Sequence, residues 1–128
     1  MRDALIVSTA RTPLTKSYRG TFNNTTAPTM AGWAIEEAVK RSGVDPEKVD
    51  DVIMGAALQQ GTQHCNVARN SALAAGLPVT VSGMTLDRQC SSGMMAIATA
   101  AKQIISDGMD VAVGGGLDSI SLVQTEKM

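Results

Sequence analysis

Apolar positions along the chain follow two rhythms. Ala4-Leu5-Ile6-Val7-Ser8, Val52-Ile53-Met54-Gly55-Ala56 and Asp110-Val111-Ala112-Val113-Gly114 are short, nearly unbroken apolar runs. This is the pattern of strands buried on both faces. Val79-Thr80-Val81-Ser82-Gly83-Met84-Thr85-Leu86 half-alternates and predicts a further strand. The intervening segments are helical. Residues 28–42 carry Trp33, Ala34 and Ala38 on one face and stop at Gly43, while residues 64–75 end at Gly76 with Pro78 just beyond. Met94, Ile97, Ala98, Ala101, Ile104 and Ile105 recur at helical spacing up to Gly108. Asp45-Pro46-Glu47 places an N-cap before an N1 proline and predicts a short helical turn.

The order β-α-β-α-β-α-β predicts an α/β layered fold, with a largely parallel sheet covered by helices. Thr12-Pro13 closes the first strand, and residues 18–26 form a polar loop. No internal repeat, low-complexity tract or interdomain linker interrupts the pattern. Residues 117–128 begin a new segment that nothing terminates.

Composition narrows the classes of function. At 128 residues, 44% apolar and 18% charged, the chain is expected to be one globular domain and not disordered. Tyr18, Phe22 and Trp33 are its only aromatics, so Ala, Val, Ile, Leu and Met must build the core. Eleven basic residues face twelve acidic ones without a long run of either sign. That leaves no electrostatic case for nucleic acid or an anionic membrane. No apolar run approaches the roughly 20 residues of a membrane span. Met1-Arg2-Asp3 leads directly into the first predicted strand, leaving no room for a signal or transit segment, and a cytoplasmic setting is expected. Cys65 and Cys90 are expected to be free thiols.

Cys90 is the leading candidate for chemistry. It falls on the join between the Val79–Leu86 strand and the following helix, at or just before that helix's first turn. Free backbone N–H groups and the positive end of the helix dipole would face its sulfur and favour the nucleophilic thiolate. Ser91, Ser92 and Gly93 leave room beside it, and the Cys90 N–H is placed to serve an oxyanion. A buried, inert cysteine near a helix start is the plainer alternative.

Other motifs carry less. His64-Cys65 with one distant cysteine does not make a zinc spacing, so no metal is expected. His64, the sole histidine, is a base only if the fold brings it to Cys90. Gly114-Gly115-Gly116 follows a strand but lacks both dinucleotide and phosphate-loop spacings, so a tight strand exit where the backbone turns sharply is expected. Asp118, Ser119 and Ser121 suit capping or turns, and Arg69 and Arg88 suit the surface.

Taken in order, four stretches resemble the N-terminal part of a thiolase. They are Ile6-Val7-Ser8-Thr9-Ala10-Arg11-Thr12-Pro13, Asn66-Val67-Ala68-Arg69, Arg88-Gln89-Cys90-Ser91-Ser92-Gly93 and Val113-Gly114-Gly115-Gly116-Leu117-Asp118-Ser119-Ile120-Ser121. The resemblance implies one half of a duplicated layered fold with a mostly parallel, mixed sheet. Residues 1–128 would be its N-terminal domain, breaking off near the start of the loop domain. It further implies coenzyme-A-dependent acyl transfer. Cys90 would take the acyl group as a thioester, with its backbone N–H forming one arm of an oxyanion hole. The acyl group would pass to coenzyme A in 3-ketoacyl-CoA thiolysis, or to acetyl-CoA in Claisen condensation. Arg88-Gln89 leans toward the degradative members.

Acyl-CoA and acetyl-CoA are then substrates, no cofactor is permanently bound, and the full-length protein is a homodimer or tetramer. The family's G-H-P histidine, second histidine and C-x-G-G-G cysteine have no counterpart here. The isolated chain is therefore expected to be inactive and to expose apolar surface that the other half would cover. Three other readings stand beside this one: another condensing enzyme of the same superfamily, a non-catalytic half-chain that needs a complementary partner, and a redox-sensing thiol domain.

Overall fold

A computed structural model describes residues 1–126 of the chain. Lys127 and Met128, the end of the expected new segment, lie outside the described residues. Four helices and three strands alternate: α1 (Ala27–Ser42), β1 (Asp51–Gly55), α2 (Val67–Ala74), β2 (Ser82–Leu86), α3 (Ser92–Ser106), β3 (Ala112–Gly116) and the short α4 (Ile120–Val123). One-turn 3-10 helices at Pro46–Lys48 and Gly61–Gln63 precede β1 and α2. Asp45 caps the first of these as expected, its side chain accepting from the Glu47 N–H.

The strands form one parallel sheet in the order β2-β1-β3. Central β1 is buried along its whole length, and its alternate residues point to opposite faces. Val52 and Met54 pack into a cluster with Ala31, Ile35 and Val39 of α1 and Ala68 and Ala72 of α2. Ile53 packs with Ala96 and Ala100 of α3 on the other face. The result is an α/β/α layering, with α1 and α2 on one side and α3 on the other. The β1–α2–β2 and β2–α3–β3 crossovers run in opposite directions over opposite faces, so one handedness serves both.

One predicted strand does not form. Ala4–Ser8 has no strand pairing, and Leu5, Ile6 and Val7 are exposed rather than buried. Its N–H groups reach no neighbouring strand. Side chains tether it instead: Arg2 donates to Asp110 and to the Met109 carbonyl, Ser8 Oγ donates to the Ala38 carbonyl at 2.7 Å, and Arg41 donates to the Thr9 carbonyl at 2.9 Å. Among the described residues the three paired strands are all parallel.

Gly114, Gly115 and Gly116 correct a second expectation. They lie within β3, and none has a positive φ. For Gly114 and Gly116 the reason is proximity to α3: a β-carbon on Gly114 would stand 2.7 Å from Ile97 Cα, and one on Gly116 would stand 2.7 Å from Gly93 Cα. Glycine here permits backbone-to-backbone packing of helix on strand, not a turn.

Candidate active site

The loops leaving adjacent strands β1 and β2 depart to opposite faces of the sheet. In open α/β sheets this opens a crevice at the carboxyl ends of the strands, where ligands collect. Cys90 stands past the carboxyl end of β2, in the five-residue junction between Leu86 and Ser92.

The junction is held by its own polar groups. Asp87 accepts the Gln89 N–H at 2.7 Å, closing an Asx turn. Buried Ser92 accepts the Arg88 N–H at 2.8 Å and donates its hydroxyl to the Gln89 carbonyl at 2.6 Å. The Ser91 and Ser92 N–H groups bond back to the Arg88 and Gln89 carbonyls at 3.1 and 3.0 Å. Gln89 sits at φ +52°, a left-handed conformation uncommon for a residue other than glycine. The chain thus bends sharply one residue before Cys90, whose thiol is free and exposed.

Ser91 is the N-cap of α3 and offers no side-chain cap. Among the described residues the N–H groups of Cys90, Gly93 and Met94 find no acceptor, whereas the next one, of Met95, bonds to the Ser91 carbonyl at 2.9 Å. Three unspent donors beside an exposed sulfur suit an anion or a developing oxyanion. Cys90 lies just ahead of the helix, as its spacing implies, and its side chain is exposed rather than buried.

A polar clamp behind the junction was not foreseen. Gln63 is fully buried and donates to the Leu58 carbonyl at 2.7 Å and to Asp118 Oδ1 at 2.9 Å, while its Oε1 accepts the Ser119 N–H. Asp118 Oδ2 also accepts the Ala57 N–H at 3.4 Å. The clamp joins the exits of β1 and β3, the two strands on which α3 begins. Gln63 sits in a polar stretch with Gln59, Gln60 and Thr62, and nothing in that pattern separates it from surface loop. Asp118 is a clamp rather than a cap. Ser119 does precede α4 as its N-cap, without a side-chain bond, and Ser121 ties down the residue 18–24 loop through the Tyr18 N–H and Asn23.

Arg69 is likewise more than surface charge. It is half-buried and donates to the Val79 carbonyl at 3.0 Å and to the Val81 carbonyl, bracing the entry to β2. Asn66 caps α2 by accepting the Arg69 N–H at 3.3 Å, and it also donates to the Gly83 carbonyl at 2.9 Å. Arg88 is exposed. His64 stands against its neighbour, with Nδ1 2.7 Å from Cys65 Sγ, and no hydrogen bond joins it to Cys90. Among the described residues no three His, Cys, Asp or Glu side chains gather as metal ligands, and no helix is long and apolar enough to cross a membrane.

Fold and junction together define an α/β protein with an accessible cysteine at the head of a parallel sheet. Residues 4–128 match the family model for the thiolase N-terminal domain. The chain is 40% identical over 123 residues to a 3-ketoacyl-CoA thiolase of Bacillus subtilis, covering 96% of this chain and 32% of that protein. It is 40% identical over 121 residues to an acetyl-CoA acetyltransferase of Cupriavidus necator, covering 94% of this chain and 30% of that one. The crystal structure of the Bacillus anthracis acetyl-CoA acetyltransferase superposes with a TM-score of 0.88 at 45% identity, over 94% of this chain and 30% of that chain. The chain belongs to the thiolase family, as an N-terminal domain, and spans about a third of the length of the curated relatives it matches.

Proposed function

We propose that Cys90 is the acyl-accepting nucleophile of a thiolase-type acyltransferase acting on coenzyme A thioesters. The observation that carries this reading is the junction itself: an exposed thiol with three unspent N–H donors where β2 gives way to α3. Family membership and relatives named 3-ketoacyl-CoA thiolase and acetyl-CoA acetyltransferase support the substrate class.

In the thiolytic direction the Cys90 thiolate adds to the 3-keto carbon, and negative charge on the former carbonyl oxygen falls to the Cys90 N–H. The C2–C3 bond then breaks, its electron pair leaving on C2, which takes a proton and departs as acetyl-CoA. The sulfur of coenzyme A attacks the thioester left on Cys90, releases a shortened acyl-CoA and returns the thiolate. In the condensing direction acetyl-CoA acylates Cys90, and the carbanion of a second acetyl-CoA displaces the sulfur to give acetoacetyl-CoA. Splitting the carbon–carbon step in two is the benefit of the covalent intermediate. The acid and base for these proton movements are not supplied by these 128 residues. The same reading carries a homodimer or tetramer for the complete enzyme, a cytoplasmic setting and no permanently bound cofactor.

The test is to isolate the protein from its source cell, expose it briefly to acetyl-CoA and record its intact mass under denaturing conditions. A longer chain carrying one acetyl group, absent in Cys90→Ser, is the expected result. An acetyl group on Cys65, or a longer chain with none, overturns the assignment. A chain ending at Met128 without an adduct favours the non-catalytic half-chain.

A further inference from the structure

The histidine that Cys90 lacks stands beside the chain's other thiol. His64 Nδ1 is 2.7 Å and Nε2 3.3 Å from Cys65 Sγ, and both residues are exposed. A thiol within hydrogen-bond reach of an imidazole is a nucleophile paired with a base. The pair sits on the turn into α2, where Cys65 and Asn66 both have φ +55°. Asn70 Nδ2 donates to the Cys65 carbonyl at 3.1 Å, and Asn66 Nδ2 donates to the Gly83 carbonyl of β2 at 2.9 Å. Thr85 Oγ1 donates to Asn66 Oδ1 at 2.8 Å. The thiol and its base are therefore fastened to the sheet and not carried on a loose loop.

The donors beside the two thiols are arranged in opposite ways. Cys65 stands two residues ahead of the first residue of α2, Val67, as Cys90 stands two ahead of Ser92 in α3. In α3 the second and third N–H groups, of Gly93 and Met94, find no acceptor among the described residues. In α2 the corresponding groups are taken. The Ala68 N–H donates to Thr85 Oγ1 at 3.0 Å, and the Arg69 N–H donates to Asn66 Oδ1 at 3.3 Å. A tetrahedral acyl adduct needs N–H donors for its oxyanion, and the first turn of α2 has spent these two. Displacement at sulfur makes no such demand. Attack on a disulfide passes charge from the entering sulfur to the leaving one and builds no oxyanion. Cys65 thus has the base and the access that disulfide exchange uses, without the donors that acyl transfer uses.

We propose that Cys65 is a second reactive thiol, at which the protein forms mixed disulfides with small-molecule disulfides, His64 serving as its base. The Cys65 proton passes to the imidazole as Sγ attacks one sulfur of the disulfide. The S–S bond breaks, its electron pair leaves on the far sulfur, and that thiolate takes the proton from His64. Cys65 ends oxidised in a mixed disulfide, half of the reagent ends reduced as a thiol, and His64 is unchanged. Excess small-molecule thiol runs the exchange backwards. The inference rests on residues apart from Cys90 and stands whether or not Cys90 accepts an acyl group.

The test exposes the protein isolated from its source cell to oxidised glutathione. Mass spectrometry of its peptides follows the rate at which each cysteine gains a glutathionyl group. Cys65 is expected to gain one, and dithiothreitol to remove it. In His64→Gln the rate at Cys65 should fall about tenfold or more, with the rate at Cys90 unchanged. In His64→Gly, added free imidazole should restore the rate at Cys65, a recovery that a histidine merely shaping the turn would not show.

No adduct at Cys65, an equal rate in His64→Gln, or no recovery with imidazole overturns the proposal. Acetylation of Cys65 by acetyl-CoA as fast as that of Cys90 overturns the choice of disulfide over thioester.

Discussion

A β-carbon on Gly55 would stand 2.1 Å from the carbonyl carbon of Ser92, so the end of β1 and the first residue of α3 touch backbone to backbone. This contact sets the height at which Cys90 leaves the sheet. Gly55→Ala must lift the start of α3 away from β1, because both colliding atoms are main chain. We expect a loss of about 1–3 kcal/mol, the usual cost of overpacking, read as a lower denaturation midpoint. The alkylation rate of Cys90 by iodoacetamide should change in the same variant while that of Cys65 does not. Full stability with unchanged Cys90 reactivity would show that the contact does not position the thiol.

Gln63 holds the exits of β1 and β3 through three bonds made by its own buried amide. Gln63→Leu keeps the side chain's bulk but leaves the Ser119 N–H, the Leu58 carbonyl and one Asp118 oxygen without this partner. Ser119 is buried, so its orphaned N–H costs about 1–3 kcal/mol, while exposed Asp118 can turn to water, and the variant should lose about that much. Gln63→Glu separates bonding from bulk, since it retains an acceptor for Ser119 but sets a carboxylate against Asp118. The double variant Gln63→Glu, Asp118→Asn should recover part of the loss, because an amide again faces a carboxylate. Urea denaturation of the three variants checks this, and no recovery in the double variant would mean the pair does not act as a clamp.

Arg69 braces β2 from a neighbouring helix, donating to the carbonyls of Val79 and Val81. Arg69→Lys retains the charge but not the planar fork that reaches two carbonyls at once. It should behave nearly like Arg69→Ala. Both should cost about 1–3 kcal/mol, since hydrogen bonds to a charged group are the stronger kind. Exchange of amides in residues 79–86 should rise, with β3 unaffected. A lysine variant as stable as the parent would reduce Arg69 to a surface charge.

How far these features could be read from the chain depends on whether their cause is local. Helices α1, α2 and α3 and strands β1, β2 and β3 lie close to their predicted places because apolar period, caps and glycine stops act within a few residues. The junction at Cys90 was legible for the same reason: strand, small residues and helix follow one another directly. Ala4–Ser8 failed because an apolar run shows that burial is wanted, not whether the neighbour that buries it is present. Gly114 and Gly116 read as a turn because a glycine needed for close helix approach looks identical in one dimension to a glycine needed for φ. Gln63 and Arg69 gain their roles from partners as far away as Asp118 and Val79, and no local pattern marks them.

The last prediction concerns the 128-residue chain by itself. Its sole histidine stands against Cys65, not Cys90, so the proposed nucleophile has no histidine base bonded to it. A general base contributes about 10²–10⁴-fold, and lost substrate orientation costs more. The chain should therefore show no measurable thiolysis of acetoacetyl-CoA. It should also self-associate, because Leu5, Ile6 and Val7 near the N-terminus and Met94 and Ile97 of α3 are exposed apolar residues around one groove. Sedimentation at several concentrations, run alongside the assay, tests both halves of this statement. Association without turnover is the expected pair of results. Steady turnover by the isolated chain would mean that Cys90 finds its base within these 128 residues, and a monodisperse, cooperatively melting monomer would mean that the exposed apolar groove needs no cover.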